Sequence, residues 1–239
     1  MWSWEAFFSF LHDPLLLQGA WTTVWLTTVS MALALPLAVL VALGRASGFA
    51  PLRLVTGSYV WLMRGTPLLV QLVIIYTGLP QLGLRLGVIT SALVGLVLNE
   101  AAYLSEIVRA GVLSVPRGQS EAARALGMPP WKVFRVVVMP QALRVMVPPL
   151  GNSFNGLLKT TTLVSVISVE ELLRRTQFAV QTNFRVLEGL TAAALYYLAM
   201  TTLWGLVQQW LETRVGRGYQ ARPSSGRRTR SAALELETR

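Results

Sequence analysis

The chain has 239 residues, of which 13% are charged and 53% are hydrophobic, and its mean hydropathy is +0.52. Soluble domains carry roughly 25% charged residues, so this composition excludes a disordered chain and argues against a soluble globule. The net charge of +10 would favour a nucleic-acid partner only if the basic residues formed one face. The absence of cysteine excludes disulfides, thiolate metal sites and a cysteine nucleophile, and the single histidine, His12, excludes clustered imidazole ligands.

Five apolar stretches are long enough to cross a bilayer, which takes about 20 residues. Three of them contain long runs without an ionisable residue, whereas one is interrupted by Glu100 and Glu106 and another by Lys159. The sequence therefore predicts an all-α integral membrane protein with five transmembrane helices, at about 19–44, 65–84, 86–109, 141–169 and 188–211. Residues 1–18 precede this domain of residues 19–211. Residues 212–239 follow it as a basic tail that lacks apolar periodicity and is predicted to be disordered.

The basic residues are divided unevenly between the two sides that five spans create. Sixteen of the 21 fall in one alternating set of segments, four fall in the other, and Lys159 lies inside a span. By the positive-inside rule, the N-terminus is predicted to be extracytoplasmic, and the C-terminus and the loop of residues 110–140 to be cytoplasmic. No continuous basic face is left for a nucleic acid.

The second span is predicted to begin with a helix start. Thr66 has the side chain of an N-cap residue, and Pro67 suits the first helical position. Arg64, directly before them, would then lie at the cytoplasmic interface.

The cytoplasmic loop is predicted to contain a short helix. Gln119 and Ser120 stand at its start, alanines fill one side, and Gly127 occupies the place of a left-handed residue at the C-terminal end. Pro140 suits the first turn of the following helix. A short helix between two spans needs a surface to pack on, and a partner protein is one such surface.

This loop resembles the EAA signature of ABC importer permeases, in which Glu-Ala-Ala is followed by three residues, Gly, nine residues and Ile-x-Leu-Pro. The residues that match it in register are Glu121, Ala122, Ala123, Gly127 and Pro140. The stretches RGTPLLVQ at 64–71 and AAYLSEIVRAG at 101–111 are similar to the polar amino-acid branch of that family. The branch often has an acidic residue directly after the lysine of the fourth span, where this chain has Thr160.

The resemblance implies the type I permease subunit of a bacterial importer of polar amino acids. It implies a coupling helix around 121–127 that docks on cytoplasmic ATPase subunits, an extracytoplasmic amino-acid-binding protein, and a second permease subunit, identical or paralogous. It also implies a non-catalytic chain in the plasma membrane, with no cofactor or metal of its own and with ATP–Mg on the ATPase. Which amino acid is carried stays open.

Two polar stripes on the interrupted spans are the candidate translocation route, because polar groups at membrane depth face an interior or a cavity. On the third span the spacing places on one face Asn99, Tyr103 and Glu106. Arg109, three residues after Glu106, is close enough to pair with it. On the fourth span the stripe consists of Asn152, Asn155, Lys159, Thr162 and Ser165. A zwitterionic substrate needs a cation, acceptors and amide or hydroxyl groups, all of which the stripes contain.

Structural roles for these residues are the simpler alternative, with Glu106 in an ion pair and Lys159 as a strut between helices. An alternative function is an ion-coupled secondary transporter with Glu100, Glu106 and Lys159 as a relay, although such carriers usually have inverted repeats and more spans. An intramembrane enzyme is less favoured, because no span contains a catalytic constellation.

Overall fold

The computed structural model describes residues 2–216, and within them the secondary structure is helical and contains no strand. In chain order the α-helices are α1 (Trp4–Leu11), α2 (Pro14–Ala46), α3 (Ala50–Gly65), α4 (Leu68–Val73), α5 (Val88–Leu113), α6 (Arg117–Ala125), α7 (Pro130–Lys132), α8 (Met139–Thr160), α9 (Leu172–Gln181) and α10 (Val186–Gly216). Of the predicted disordered tail, residues 212–216 are helical, and residues 217–239 lie outside the described part.

Shorter helical turns extend or join three of these helices. A π-helical turn and a 3₁₀ turn continue α4 to Leu82, and a π-helical turn at Val133–Val138 joins α7 to α8. A 3₁₀ segment, Thr161–Ile167, extends α8.

Four helical stretches in residues 2–216 are long and apolar enough to cross a membrane. They are Pro14–Ala46, Val88–Leu113, Pro130–Ile167 and Val186–Val215. A fifth span arises if Ala50–Gly65 and Leu68–Leu82, which meet at an angle of 106°, are counted as one bent span. The all-α membrane fold predicted from the sequence is therefore confirmed, with four candidate spans in the described residues, or five if the bent pair is one span.

The helix α3 lies in the stretch that the charge pattern leaves as a cytoplasmic loop. Val60 is buried there against α2 and α5, while the side chains of Arg53 and Arg64 remain exposed. An amphipathic helix accommodates both kinds of side chain, so the arginines mark its polar face rather than a loop.

The predicted helix start at Thr66 is wrong by one residue. Pro67 is the N-cap of α4, and Thr66 is the C-cap of α3, where its hydroxyl donates to the carbonyl of Leu62 at 2.9 Å. Proline disfavours the helical conformation in the residue before it, which is why Thr66 is extended and α3 ends.

The helix α5 is central to the packing of the spans. Its buried Ala92 and Leu96 join one apolar cluster with α2, α4 and the end of α8, and its Ala101 and Leu104 join a second cluster with α2. Gly95 permits close approach, because a Cβ there would lie 2.5 Å from Leu72 Cδ2. Small residues bring transmembrane helices into contact in this way, so α4 lies tightly against α5.

A buried carboxylate fixes the start of α9. Glu171 is fully buried and accepts hydrogen bonds from the backbone N–H groups of Leu173 and Arg174, both at 2.9 Å. The hydroxyl of Tyr197 on α10 donates to the same carboxylate at 2.8 Å. Glu171 thus satisfies two free N–H groups of a helix start and ties α9 to α10.

Replacing Glu171 by alanine is expected to lower the melting temperature of the purified protein. Loss of an N-cap costs about 1–2 kcal/mol, which corresponds to a fall of roughly 2–8 °C for a chain of this size. The neighbouring Glu170, whose exposed carboxylate lies 3.3 Å from Arg175, provides the matched control. Equal melting temperatures for Glu171→Ala and Glu170→Ala in the same detergent would contradict this role.

Candidate functional site

The helix α6 is the short helix that the sequence predicts between the third and fourth spans, although it begins at Arg117, two residues before Gln119. Gly127 has a φ of +78°, as expected for a left-handed C-terminal residue. Its N–H donates to the carbonyl of Arg124 at 2.9 Å, and the N–H of Met128 donates to that of Ala123 at 3.2 Å. These two bonds form a Schellman motif, which ends the helix and turns the chain back.

One face of α6 is anchored and the other is exposed. Ala123 is buried in an apolar cluster with Val133 and Val138 from the turn that leads into α8. Glu121 and Ala122 are exposed, and Leu126 has 84% of its surface accessible. The match to the EAA signature therefore combines an anchoring residue, Ala123, with outward-facing ones.

Pro140 lies in the first turn of α8, as predicted, but that turn is not a free helix start. The π-helical segment Val133–Val138 runs directly into it, so the backbone is helical on both sides of the proline. A π turn changes the hydrogen-bonding pattern locally, and such turns are one place where a helix tolerates a missing N–H.

A polar cleft of about 540 Å³ lies between the break in the second span, α5 and α8. Its polar lining consists of Arg64, Thr66, Asn99, Glu100, Tyr103, Ser153 and Thr160. The cleft thus contains two of the predicted pathway residues, Asn99 and Tyr103, and the threonine that replaces the acidic residue of the family branch.

The cleft contains charges of both signs. Among the described residues that line it, Arg64 and Glu100 are the charged ones. The guanidinium of Arg64 lies 5.2 Å from the centroid of the Tyr103 ring, within the range of a cation–π contact. Oε1 of Glu100 is buried and has no hydrogen-bond partner in residues 2–216. Glu100 is outside the predicted stripes, and its signal in the sequence is a carboxylate within an apolar span.

The wall of the cleft at the break is held by two amide side chains. Gln71 Nε2 donates to the carbonyl of Met63 at 2.9 Å and to the hydroxyl of Thr66 at 2.8 Å. Asn99 Nδ2 donates to Gln71 Oε1 at 3.1 Å and to the same Met63 carbonyl at 3.2 Å. Asn99 therefore supports the cleft from behind as well as lining it.

Glu106 lies next to the cleft, in a cluster with three arginines from three helices. It pairs with Arg45 of α2, with Arg109 at 2.9 Å, and with Arg64 at 3.7 Å. The predicted pair with Arg109 is thus present. Arg64 borders both the polar cleft and the adjoining 370 Å³ cavity that contains Glu106. The cluster ties the C-terminal ends of α2, α3 and α5 together.

The predicted stripe on α8 does not reach the cleft, which is lined instead by the face of Ser153, Gly156 and Thr160. The stripe does not continue as one α-helical face, because the segment after Thr160 is a 3₁₀ helix with three residues per turn. The hydroxyls of Thr162 and Ser165 donate to backbone carbonyls three residues earlier, at 2.8 and 2.6 Å.

The other three members of the stripe have separate surroundings. Asn152 accepts a hydrogen bond from Gln208 of α10 at 3.2 Å, and Oδ1 of Asn155 is buried without a partner in residues 2–216. Lys159 is exposed and forms no ion pair with any described residue. Glu100, Glu106 and Lys159 therefore have separate surroundings, and neither the polar cleft nor the adjoining cavity is lined by all three, as a relay would require.

Comparison with protein families gives the decisive match. Residues 17–217 match the family described as the binding-protein-dependent transport system inner membrane component. The chain belongs to this family of ABC importer permeases. Its members are non-catalytic subunits of multi-pass inner-membrane transporters, and membership implies an ATPase, a substrate-binding protein and a second permease.

Characterised relatives extend over most of the chain. The glutamine transport system permease protein GlnP of Escherichia coli (strain K12) is 39% identical over 204 residues, which are 84% of this chain and 93% of that protein. The L-cystine transport system permease protein TcyB of Bacillus subtilis (strain 168) is 43% identical over 205 residues, 85% of this chain and 88% of that protein.

Solved structures agree with the fold. A crystal structure of an amino acid ABC transporter with histidines has a TM-score of 0.80 and 37% identity, and the match covers 84% of this chain and 94% of that one. The MetNI methionine ABC transporter in an inward-facing conformation has a TM-score of 0.69 at 22% identity, over 84% of this chain and 96% of that one. The second likeness concerns the fold alone.

Replacing Glu106 by glutamine is expected to destabilise the permease, because three arginines lose their shared carboxylate. The groups are partly exposed, so the loss is on the order of 1 kcal/mol. Added salt screens the remaining repulsion among the arginines, and the difference in melting temperature from the unsubstituted protein should narrow. Glu5→Gln, at an exposed position of α1, is the control. If Glu106→Gln had the melting temperature of the unsubstituted protein at low salt, that result would contradict the role of the cluster.

Proposed function

We propose that this chain is the membrane-spanning subunit of an ATP-driven importer of polar amino acids. Two copies, or one copy and a paralogue, would form the membrane domain on two ATPase subunits that bind ATP–Mg. An extracytoplasmic binding protein would deliver the amino acid at the opposite face. Relatives named as permeases for glutamine, L-cystine and arginine support this substrate class. The excess of basic residues in alternate loops supports an N-terminus outside and a C-terminus in the cytoplasm.

The helix α6 is the proposed contact with the ATPase. Its inner side is fixed by Ala123 and by the Schellman turn at Gly127, while Glu121, Ala122 and Leu126 face outward. An exposed leucine beside small residues on a short helix favours a docked protein over solvent. Because Pro140 follows the same turn, movement of α6 would be passed to α8 as well as to α5.

The polar cleft is the proposed part of the translocation route on this chain. An amino acid carries one carboxylate and one ammonium group, and the cleft offers Arg64 for the first and Glu100 for the second. Thr160 adds a hydroxyl and no charge at the position where the family branch often has an acid. With one charge of each sign in the cleft, a substrate with a neutral side chain fits best.

The stripe on α8 is proposed to face the route in the assembled transporter rather than within one subunit. Lys159 is exposed on an apolar helix, and a cation at membrane depth requires water or a partner. The same surface would include Asn152, Asn155, Thr162 and Ser165. Glu106 would lie at its cytoplasmic end. A second permease subunit against α8 would enclose such a surface.

Replacing Gly127 by aspartate is expected to uncouple uptake from ATP hydrolysis. A non-glycine residue in the left-handed conformation costs roughly 1–2 kcal/mol, and the turn that presents α6 would be distorted. The measurement is amino-acid uptake into proteoliposomes, together with stimulation of ATPase activity by loaded binding protein. Gly118→Ala is the comparison, because both glycines have open space around a new Cβ and only Gly127 has a positive φ. Unchanged stimulation in Gly127→Asp would count against docking through α6.

Replacing Glu100 by glutamine is expected to lower the maximal uptake rate at saturating binding protein. A hydrogen bond to a charged group contributes about 1.5–3 kcal/mol, so the rate should fall at least 10-fold. Basal ATPase activity of the assembled complex should persist, since Glu100 lies far along α5 from α6. Glu170→Gln, at an exposed position before α9, serves as the control. Full uptake by Glu100→Gln would exclude the cleft as the ammonium site.

A further inference from the structure

The break between α3 and α4 leaves backbone carbonyls that the helix itself cannot satisfy. The helix α3 ends at Gly65, α4 begins at Leu68, and Pro67 between them has no N–H to donate. Buried carbonyls without a donor are costly, so a break within a span persists only where other groups replace the missing donors. Gln71 does so: its amide donates to Met63 and Thr66 at 2.8–3.1 Å, and its surface is only 8% exposed.

The same amide joins the break to α5. Asn99 donates to Gln71 Oε1 and to the Met63 carbonyl, so one carbonyl oxygen accepts from the side chains of two helices. We call the pair Gln71 and Asn99 the amide clamp. Nearby, the hydroxyl of Tyr59 on α3 donates to the carbonyl of Leu98 at 2.6 Å. The end of α3 is therefore bound to α5 by directional bonds in addition to apolar packing.

The helix α5 leads directly to the cytoplasmic helix. Three residues separate its end at Leu113 from the start of α6 at Arg117. Val112 and Val115 pack on the cluster that holds Ala123 of α6. The connection from α6 to α5 is therefore short and packed, so a displacement of α6 would reach α5. At the other end of this path, Arg64, Gly65 and Thr66 form the rim of the polar cleft.

We propose that Gln71 is a positioning residue for transport: with Asn99 it clamps the α3–α4 break onto α5, so that movement of the cytoplasmic helix shifts the cleft rim. The proposal rests on the proposed function, in which α6 receives the ATPase movement. Gln71 acts through the backbone of Met63 and Thr66 and touches no substrate. The break is the proposed hinge, because no backbone hydrogen-bond ladder continues across its 106° bend and its angle is set by the side-chain bonds of Gln71 and Asn99.

The test follows the cleft rim with a chemical probe. The chain contains no cysteine, so one introduced thiol can be labelled by a maleimide without background from the permease. Gly65→Cys places the probe on the rim, at a position where a new Cβ meets no atom within 4 Å. Gly118→Cys places a second probe on α6, also in open space. Labelling rates are measured in the assembled complex, nucleotide-free and after trapping with ATP and vanadate.

With Gln71 present, the labelling rate at position 65 should differ between the two states by at least 5-fold, the lower bound for a typical coupling. In Gln71→Leu the difference in labelling rate between the two states should fall below about 2-fold. Uptake per ATP hydrolysed should fall by the factor by which that difference shrinks. Gln81→Leu, on an exposed glutamine after α4, should preserve both. If the clamp acts as a unit, combining Gln71→Leu with Asn99→Leu should be no worse than either alone.

The probes separate failure of the clamp from failure of the proposed function. Suppose that the ATPase protects position 118 from labelling, and that Gln71→Leu leaves the difference in labelling rate at position 65 unchanged. This result would overturn the clamp alone. Equal labelling of position 118 with and without the ATPase would overturn the docking on which it rests. If Gln71→Leu fails to assemble, Asn99→Ser is used, since it removes the bond from α5 and leaves the bonds of Gln71 to α3 intact. A preserved response there would also overturn the proposal.

Discussion

The hydrogen bonds that close the break in the second span are the constraint on which the site depends. A transmembrane helix normally satisfies its own backbone, and this chain departs from that rule at residues 65–67. The departure is stable because Gln71 stands within reach of the free carbonyls and Asn99 reaches across from α5. Because the helix is broken at this point, Arg64 and Thr66 line the cleft. The polar surface of the cleft thus depends on the irregular backbone between α3 and α4, which the amide groups of Gln71 and Asn99 stabilise.

The helix α5 gains its central position from two opposite kinds of contact. On its apolar side Gly95 admits Leu72, and small residues bring α2 and α4 close. On its polar side Asn99, Tyr103 and Glu106 meet groups from the break and from α2. Apolar packing between membrane helices gives close approach but little direction, since lipid is as apolar as leucine. The hydrogen bonds and the arginine cluster supply the direction, and Glu106 and Arg109 of the cluster lie along α5 between the cleft residues and α6.

Local backbone features were predictable from the sequence to within about a residue, as at Gly127 and at the helix start near Thr66, whereas long-range pairing was not. Gly127 was predicted at a left-handed helix end because that conformation is defined by its nearest neighbours. The spans were predicted because apolar runs reflect the bilayer itself. The role of Gln71 was missed, since it depends on which carbonyls the break exposes and on the rotation of α5. The stripe on α8 shows a related difficulty: constant 3.6-residue spacing cannot describe a helix that tightens to a 3₁₀ segment after Thr160.

The basic residues that predict the orientation of the chain also join its helices. Few charged residues are therefore needed for the two roles. Arg45, Arg64 and Arg109 belong to the set of segments whose positive charge predicts the cytoplasmic side. The same three guanidinium groups surround Glu106, so residues that carry the predicted orientation signal also join three helix ends in the fold. The cluster retains excess positive charge, because one carboxylate faces three arginines. Arg64 therefore belongs to both places, because it also lines the cleft, where its guanidinium lies over the ring of Tyr103.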